Sequence, residues 1–223
     1  MKGATLITND YAFRHPDATD AVRSSAWDMT AGSLFMLPDG RYWTGIPDSI
    51  GSDAKSIKST NSAVFRMVSK RNNYQDVAIR ITFNLSRFTH TSKTPAVAWD
   101  GIHLMLRYRS QYELYYASIN RRDGTVILKK KCSGGSSNGG TYYNLTSAIR
   151  HTVPLNRDAS YTATVLNTSD GSVRISLYDE EDALLLSGED RGVGCSPIIS
   201  PGRIGVRGDN AEFAFSLDAM PLL

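Results

Sequence analysis

The strongest constraint on this chain is a succession of short segments in which apolar and polar residues alternate, with turn-forming residues between them. Residues 63–70 (AVFRMVSK), 76–85 (DVAIRITFNL), 101–109 (GIHLMLRYR), 112–121 (YELYYASINR), 125–131 (TVILKKK), 161–167, 172–178, 183–187, 203–207 and 212–217 are rich in β-branched and aromatic side chains. A period of two sends successive side chains to opposite faces of a strand. The separators carry turn chemistry: Asp123-Gly124, Asp170-Gly171, Gly208-Asp209-Asn210 and the acidic run 179–182. No long segment keeps the 3.6-residue period of a helix. The stretch before residue 63 reads as loop with two edge strands. About ten to thirteen strands at near-regular spacing predict an all-β fold, an antiparallel two-sheet β-sandwich.

A chain of 223 residues buries a substantial core, and residues 1–223 are read as one domain with a loop-rich part over 1–60. The glycine-rich segment 133–140 (SGGSSNGG) reads as a surface loop, because the strands on either side of it look like neighbours in one sheet. The formal charge of +3 is small and dispersed, which argues against a nucleic-acid partner. Its one basic run, Lys129-Lys130-Lys131, reads as a solvated strand end. No apolar stretch approaches the ~18 residues that span a membrane. MKGATLITNDYAFRHPD carries no apolar run after its lysine and is not read as a signal peptide. Two cysteines, Cys132 and Cys195, are too few for a zinc site; a disulfide and two separate thiols are both open.

Segment 101–109 pairs with 112–121 across a tight turn expected at Ser110-Gln111. That register sets Ile102, Leu104, Leu106, Tyr115, Ala117 and Ile119 on one face, which is core. The other face receives His103, Met105, Arg107, Arg109, Tyr112, Leu114, Tyr116, Ser118 and Asn120. A slip of one residue would mix apolar and charged side chains on both faces, so the hydrophobic pattern selects this pairing. Rigid aromatic area beside planar hydrogen-bonding groups suits a sugar ring, whose C–H face stacks while its hydroxyls meet fixed donors and acceptors. The same pattern also suits a sheet face covered by a loop or another subunit, with arginines packed along tyrosines.

The segments WDGIHLMLRYRSQYELYYASINRRDGTVILKKK, SNGGTYYNL, DGSVRISLYD and PGRIGVRGDNAEFAFSLDAM resemble the concanavalin A-like (laminin-G-like) jelly-roll superfamily over most of residues 63–220. The resemblance implies a jelly-roll sandwich whose ligand lies on the concave sheet or on loops at one sandwich edge. In this chain the patterned face fits the first location, and 133–143 or 208–210 fit the second. It also implies calcium as a candidate cofactor, with Asp209 and Asn210 as the ligands to consider.

Catalytic signatures are sparse. Retaining glycosidases of this fold carry paired acids in an E-x-D-x-E strand, whereas Glu113 stands alone and 179–182 reads as a solvated hairpin tip. A lyase needs a base, an acid and a group that neutralises a uronate; His103, Tyr116, Arg107 and Asn120 share the predicted face and form the candidate set. Arg207-Gly208-Asp209 reads as hairpin geometry with Gly208 at positive φ. Trp27, Trp43 and Trp99 are expected in the core, with Trp99 the most interesting because Trp99-Asp100-Gly101 enters the patterned strand.

The expectation is a non-catalytic carbohydrate-binding or adhesion module with a polysaccharide or cell-surface glycan as partner. Its candidate ligand-binding residues are His103, Arg107, Arg109, Tyr112, Tyr116, Asn120 and Trp99. An extracellular kind of module without a secretion signal fits carriage on a particle, such as a minor tail or receptor-binding component of a bacteriophage with other virion proteins or a second copy as partners, and it also fits a fragment of a secreted enzyme. The alternatives are a polysaccharide lyase acting on an acidic glycan and a purely structural virion protein.

Overall fold

A computed structural model of the chain describes residues 3–9, 22–46, 64–90, 94–137 and 139–222. Residue 63, part of the loop-rich N-terminal stretch and Asn138 therefore lie outside the described residues. Among the described residues every regular element is a strand. The strands are β1 (Thr5–Thr8), β2 (Trp27–Ala31), β3 (Leu34–Met36), β4 (Tyr42–Trp43), β5 (Val64–Ser69), β6 (Val77–Phe88), β7 (Gly101–Ser110) and β8 (Glu113–Arg121). They continue as β9 (Thr125–Ser137), β10 (Gly140–Asn144), β11 (Ile149–Arg150), β12 (Asp158–Asn167), β13 (Val173–Tyr178), β14 (Leu184–Asp190), β15 (Arg203–Asp209) and β16 (Ala211–Pro221).

Two antiparallel sheets form. One runs β1-β3-β4-β16-β6-β12-β13-β14; the other runs β10-β9-β8-β7-β15-β5-β2, with β11 paired to β9. Among the described residues four strands, not the two edge strands expected, precede residue 63: β1 and β2 each end one sheet, and β3 and β4 lie inside the first. The inner faces share one core. Ile79, Ile81, Phe83, Tyr161, Val165, Ile175, Phe213 and Phe215 of the first sheet meet Leu104, Leu106, Tyr115, Ala117, Leu128, Ile204 and Val206 of the second. Each large apolar side chain buried there contributes about 1.5–3 kcal/mol.

Strand β12 alternates buried and half-buried residues, as a strand with one solvated face should. Strand β7 does not: its first eight residues are all buried. The reason is a second apolar cluster on the outer face of that sheet, made of Val68, Met105, Tyr108, Leu114 and Tyr116 with Tyr142 packed against it. The assignment of Ile102, Leu104, Leu106, Tyr115, Ala117 and Ile119 to the core holds in full.

Several local expectations are corrected. The β7–β8 turn falls at Gln111-Tyr112, because Ser110 pairs with Glu113. The register shifts between Leu106 and Ser110, and Arg107 takes φ 46° within that irregularity. A bulge of this kind re-aims a side chain. Arg107 enters the interior with no exposed surface, and Tyr108 joins the outer cluster in its place. Segment 133–140 is not a plain loop: β9 runs through Ser137 and turns into β10 with Gly134, Gly135 and Gly139 at positive φ. The lysine run is mid-strand, with Lys130 fully buried and Lys131 2% exposed. Strands β15 and β16 lie in different sheets, so Gly208-Asp209-Asn210 is a crossover and not a hairpin. Asn210 takes the positive φ (45°), while Gly208 is needed because a Cβ there would meet the Phe213 ring at 2.6 Å. Cys132 and Cys195 form a disulfide.

Candidate functional site

The outer face of the β10–β2 sheet holds a recess of about 300 Å³, at the small end of the ~300–1,000 Å³ range of ligand pockets. Strand β7 supplies His103; β8 supplies Tyr116, Ser118 and Arg121; β9 and β10 supply Lys129 and Tyr142; β15 supplies Arg207 and Asp209. Trp99, on the loop before β7, forms a rim and is 45% exposed. Antiparallel register explains the grouping. Arg207 pairs with His103 and His103 with Ser118, so three strands place their side chains in one row. Tyr116 pairs with Lys129, and Lys131 with Tyr142, in the rows beside it.

His103 sits edge-on to Tyr116, with ring centroids 6.2 Å apart, and Tyr116 lies 5.5 Å from Tyr142. The His103 Nδ1 is 2.9 Å from Ser118 Oγ, and its Nε2 is 3.4 Å from Asp209 Oδ2 without a well-directed hydrogen bond. Burial lowers the His103 pKa; Asp209 opposes this, and Arg207 and Arg121 add to it. The ring is therefore neutral near pH 7. With a carboxylate beside Nε2, the proton belongs on that nitrogen, and Nδ1 accepts from the Ser118 hydroxyl. Burial pushes the Asp209 pKa up, but Arg207 and His103 outweigh it and hold the carboxyl at about 2.

Lys129 lines the recess and Lys131 lies against Tyr142, and both have depressed pKa values. Burial lowers Lys129, with Arg121 adding to the effect. Burial, Arg207 and Arg66 push Lys131 down to about 7. The Lys131 ammonium lies 4.8 Å from the centre of the Tyr142 ring, within cation–π range. Burial, and then the neighbouring Tyr116, raises Tyr142 well above the ordinary phenol value.

Of the residues singled out in the sequence, His103, Tyr116 and Trp99 meet in the recess. Tyr112 sits in the β7–β8 turn beside it, where its hydroxyl accepts from Gln111 Nε2 at 2.6 Å. Arg109 is exposed at the hairpin end, 3.4 Å from Glu113. Arg107 is on the wrong side: its guanidinium donates to Gln75 O, Asn167 Oδ1 and Ile198 O and faces Asp76 at 3.1 Å. Asn120 sits opposite Ile102, an interior residue, at a second register shift and does not line the recess. The lyase quartet His103, Tyr116, Arg107 and Asn120 is thus divided, with only the first two in the recess. Trp43 is buried as expected and Trp27 is half-buried against the core, but Trp99 is not a core residue.

Arg207, Arg121 and Lys129 carry no binding expectation from the sequence, and Tyr142 carries one only as part of the 133–143 segment. A signal for the first was present: R-x-D at 207 and 209 continues the period of two across β15, so both side chains share a face. The Arg-Gly-Asp tripeptide is closed to an outside partner, since Arg207 is 7% and Asp209 2% exposed. Calcium does not fit the residues considered for it. Both Asp209 oxygens accept from Arg207, and Asn210 spends its amide nitrogen on Pro95 O and Asp100 Oδ1. Calcium needs about six to eight oxygen ligands, and among the described residues no three His, Cys, Asp or Glu side chains gather at one point.

No family model matches the chain, and no curated protein matches it. Solved structures do resemble it. The carbohydrate binding module CBM66 from Bacillus subtilis superimposes with a TM-score of 0.57 at 13% identity, covering 86% of this chain and 94% of that one. A legume lectin-like domain from Entamoeba histolytica gives 0.54 at 12%, covering 89% and 91%. The exoplasmic/lumenal domain of VIP36, in its Ca2+/Man3GlcNAc-bound form, gives 0.51 at 12%, covering 88% and 84%. At these identities the likeness establishes the fold, a concanavalin A-like antiparallel β-sandwich.

Proposed function

We propose that the chain is a non-catalytic carbohydrate-binding module whose ligand occupies the recess on the outer face of the β10–β2 sheet. One observation carries the reading. His103 Nε2, Tyr116 Oη and Arg121 Nε are buried polar atoms without a hydrogen-bond partner, and all three belong to residues that line the same aromatic-walled recess. Each such atom costs about 1–3 kcal/mol unless something satisfies it. A sugar does so with its oxygens while its C–H face packs on Trp99, Tyr116 or Tyr142. The test is binding of the intact chain to a glycan array, repeated with Trp99→Ala and Tyr142→Ala. Retention of specific glycans, lost in both variants, is expected; glycan binding untouched by both would remove the ligand from this recess.

The lyase alternative loses two of its four residues, since Arg107 and Asn120 stand apart from the recess. Incubation with alginate and glucuronan, followed by absorbance of unsaturated uronates, separates the readings: turnover abolished by His103→Phe or Tyr116→Phe would replace the binding module with an enzyme.

The setting we propose is outside the reducing cytoplasm, because a disulfide persists in oxidising surroundings. A bacteriophage tail, where the module would recognise host-surface glycans beside other virion proteins, is one such setting. Mass spectrometry of purified virions checks it.

A further inference from the structure

Resting on the carbohydrate-binding reading, we infer that the sugar held in this recess is anionic, carrying a carboxylate or sulfate received by Lys129 and Arg121, with the buried Lys131 adding positive charge from beside Tyr142. Two independent observations lead there.

The first is the kind of polar atom left unsatisfied. Arg121 Nε can only donate, and it has no hydrogen-bond partner. The Tyr116 hydroxyl beside it is also without a partner and can donate as well. An oxyanion takes hydrogen bonds and gives none.

The second is the charge balance of the outer face. Arg207 is neutralised by Asp209 at 2.9 Å, and Arg121 meets Asp123 at 2.6 Å. Lys129, Lys131 and Arg66 have no carboxylate within ion-pair distance among the described residues. Arg66 instead reaches Thr30 Oγ1 and Gln111 Oε1. Both Arg66 and Lys131 are 2% exposed. Buried charges are ordinarily paired; here the pairing anion is missing from the described residues. The field acts on the lysines themselves, since Arg207 and Arg66 help depress Lys131 and Arg121 helps depress Lys129. An incoming anion opposes both shifts and favours the charged ammonium form.

The experiment uses the intact chain on an array presenting acidic glycans and neutral glycans of matched backbones, followed by calorimetry on the best pair. Uronate members and sulfated members form separate arms, which distinguish the two sources of charge. Acidic ligands are expected to bind at least tenfold more tightly than their neutral counterparts, and Lys129→Gln or Lys131→Met should erase that preference. Arg174→Gln, on the opposite sheet, should leave it unchanged. Thermal melting confirms that each variant is folded. Equal affinity for acidic and neutral members overturns the inference while leaving the carbohydrate-binding reading standing. Binding to no glycan overturns both. An acidic preference insensitive to the lysine variants, or matched by a DNA duplex of equal charge, overturns the assignment of the site.

Discussion

Arg207 and Asp209, two residues apart on β15, hold each other in a buried ion pair. Three N–H···O contacts of 2.9 to 3.1 Å join the guanidinium to both carboxylate oxygens. Asp209 also lies against His103, so the pair anchors the row that crosses β15, β7 and β8.

Removing the carboxylate charge should therefore be costly. Asp209→Asn leaves Arg207 buried without its counter-ion, and a loss of about 3–5 kcal/mol is expected from urea denaturation. The wild type should show the matching pH dependence. The Asp209 pKa falls from 3.8 to about 2 in the folded state, so its contribution is complete above pH 3.8 and is lost as pH falls through 2. Asp209→Asn should lack that acid-side decline, which urea midpoints measured from about pH 5 downward will show.

Tyr115 links distant parts of the chain. Its hydroxyl donates to Asp190 Oδ2 at 2.6 Å and accepts from Ile198 N at 2.9 Å. Tyr115→Phe keeps the ring in the core but leaves a buried carboxylate and a buried N–H each short of one partner. A loss of about 1–3 kcal/mol is expected. Lys130 Nζ still holds Asp190 at 2.8 Å, so the fold should survive with its far-UV circular dichroism unchanged.

The disulfide closes a loop spanning 63 residues between Cys132 and Cys195. Loop-closure entropy for that length gives about 4 kcal/mol. A Cys132→Ala, Cys195→Ala double variant should lose stability of that order, and reduction should lower the wild-type melting temperature while leaving the double variant's unchanged.

Lys131→Met should raise stability near neutral pH. The folded Lys131 titrates at about 7, against 10.5 for the ordinary side chain. Between those values the unfolded chain holds more protons, so wild-type stability rises with pH across the window. Methionine removes the cost of the buried charge, and its advantage should be largest below pH 7 and fade toward pH 10.5. Melting temperatures of both proteins from about pH 6 to about pH 10 test this.

Alternation made the fold legible, because a slip of one residue would have turned Phe83 and Leu104, both fully buried, out of the core. The core face of β7 and β8 followed from it directly. The candidate site was legible only in part. His103 and Tyr116 obey the same alternation and were found by it. Arg107 did not, because a bulge inverts its direction and no turn residue marks the spot. Lys129 and Tyr142 were hidden for another reason. They reach the recess by pairing across β8, β9 and β10; Lys129 sits in a run that reads as a solvated strand end, and β10 follows a glycine-bearing stretch that reads as loop. Arg207 was masked by a tripeptide whose local appearance suggests a turn, although Asn210 makes the crossover.

The two faces of β7, β8 and β9 are written on alternate positions of the same strands. Lys129 and Tyr116 open onto the recess, while Leu128, Tyr115 and Ala117 fill the interior. A single codon change at an outward position can therefore reshape the recess while the inward residues keep the sheets together.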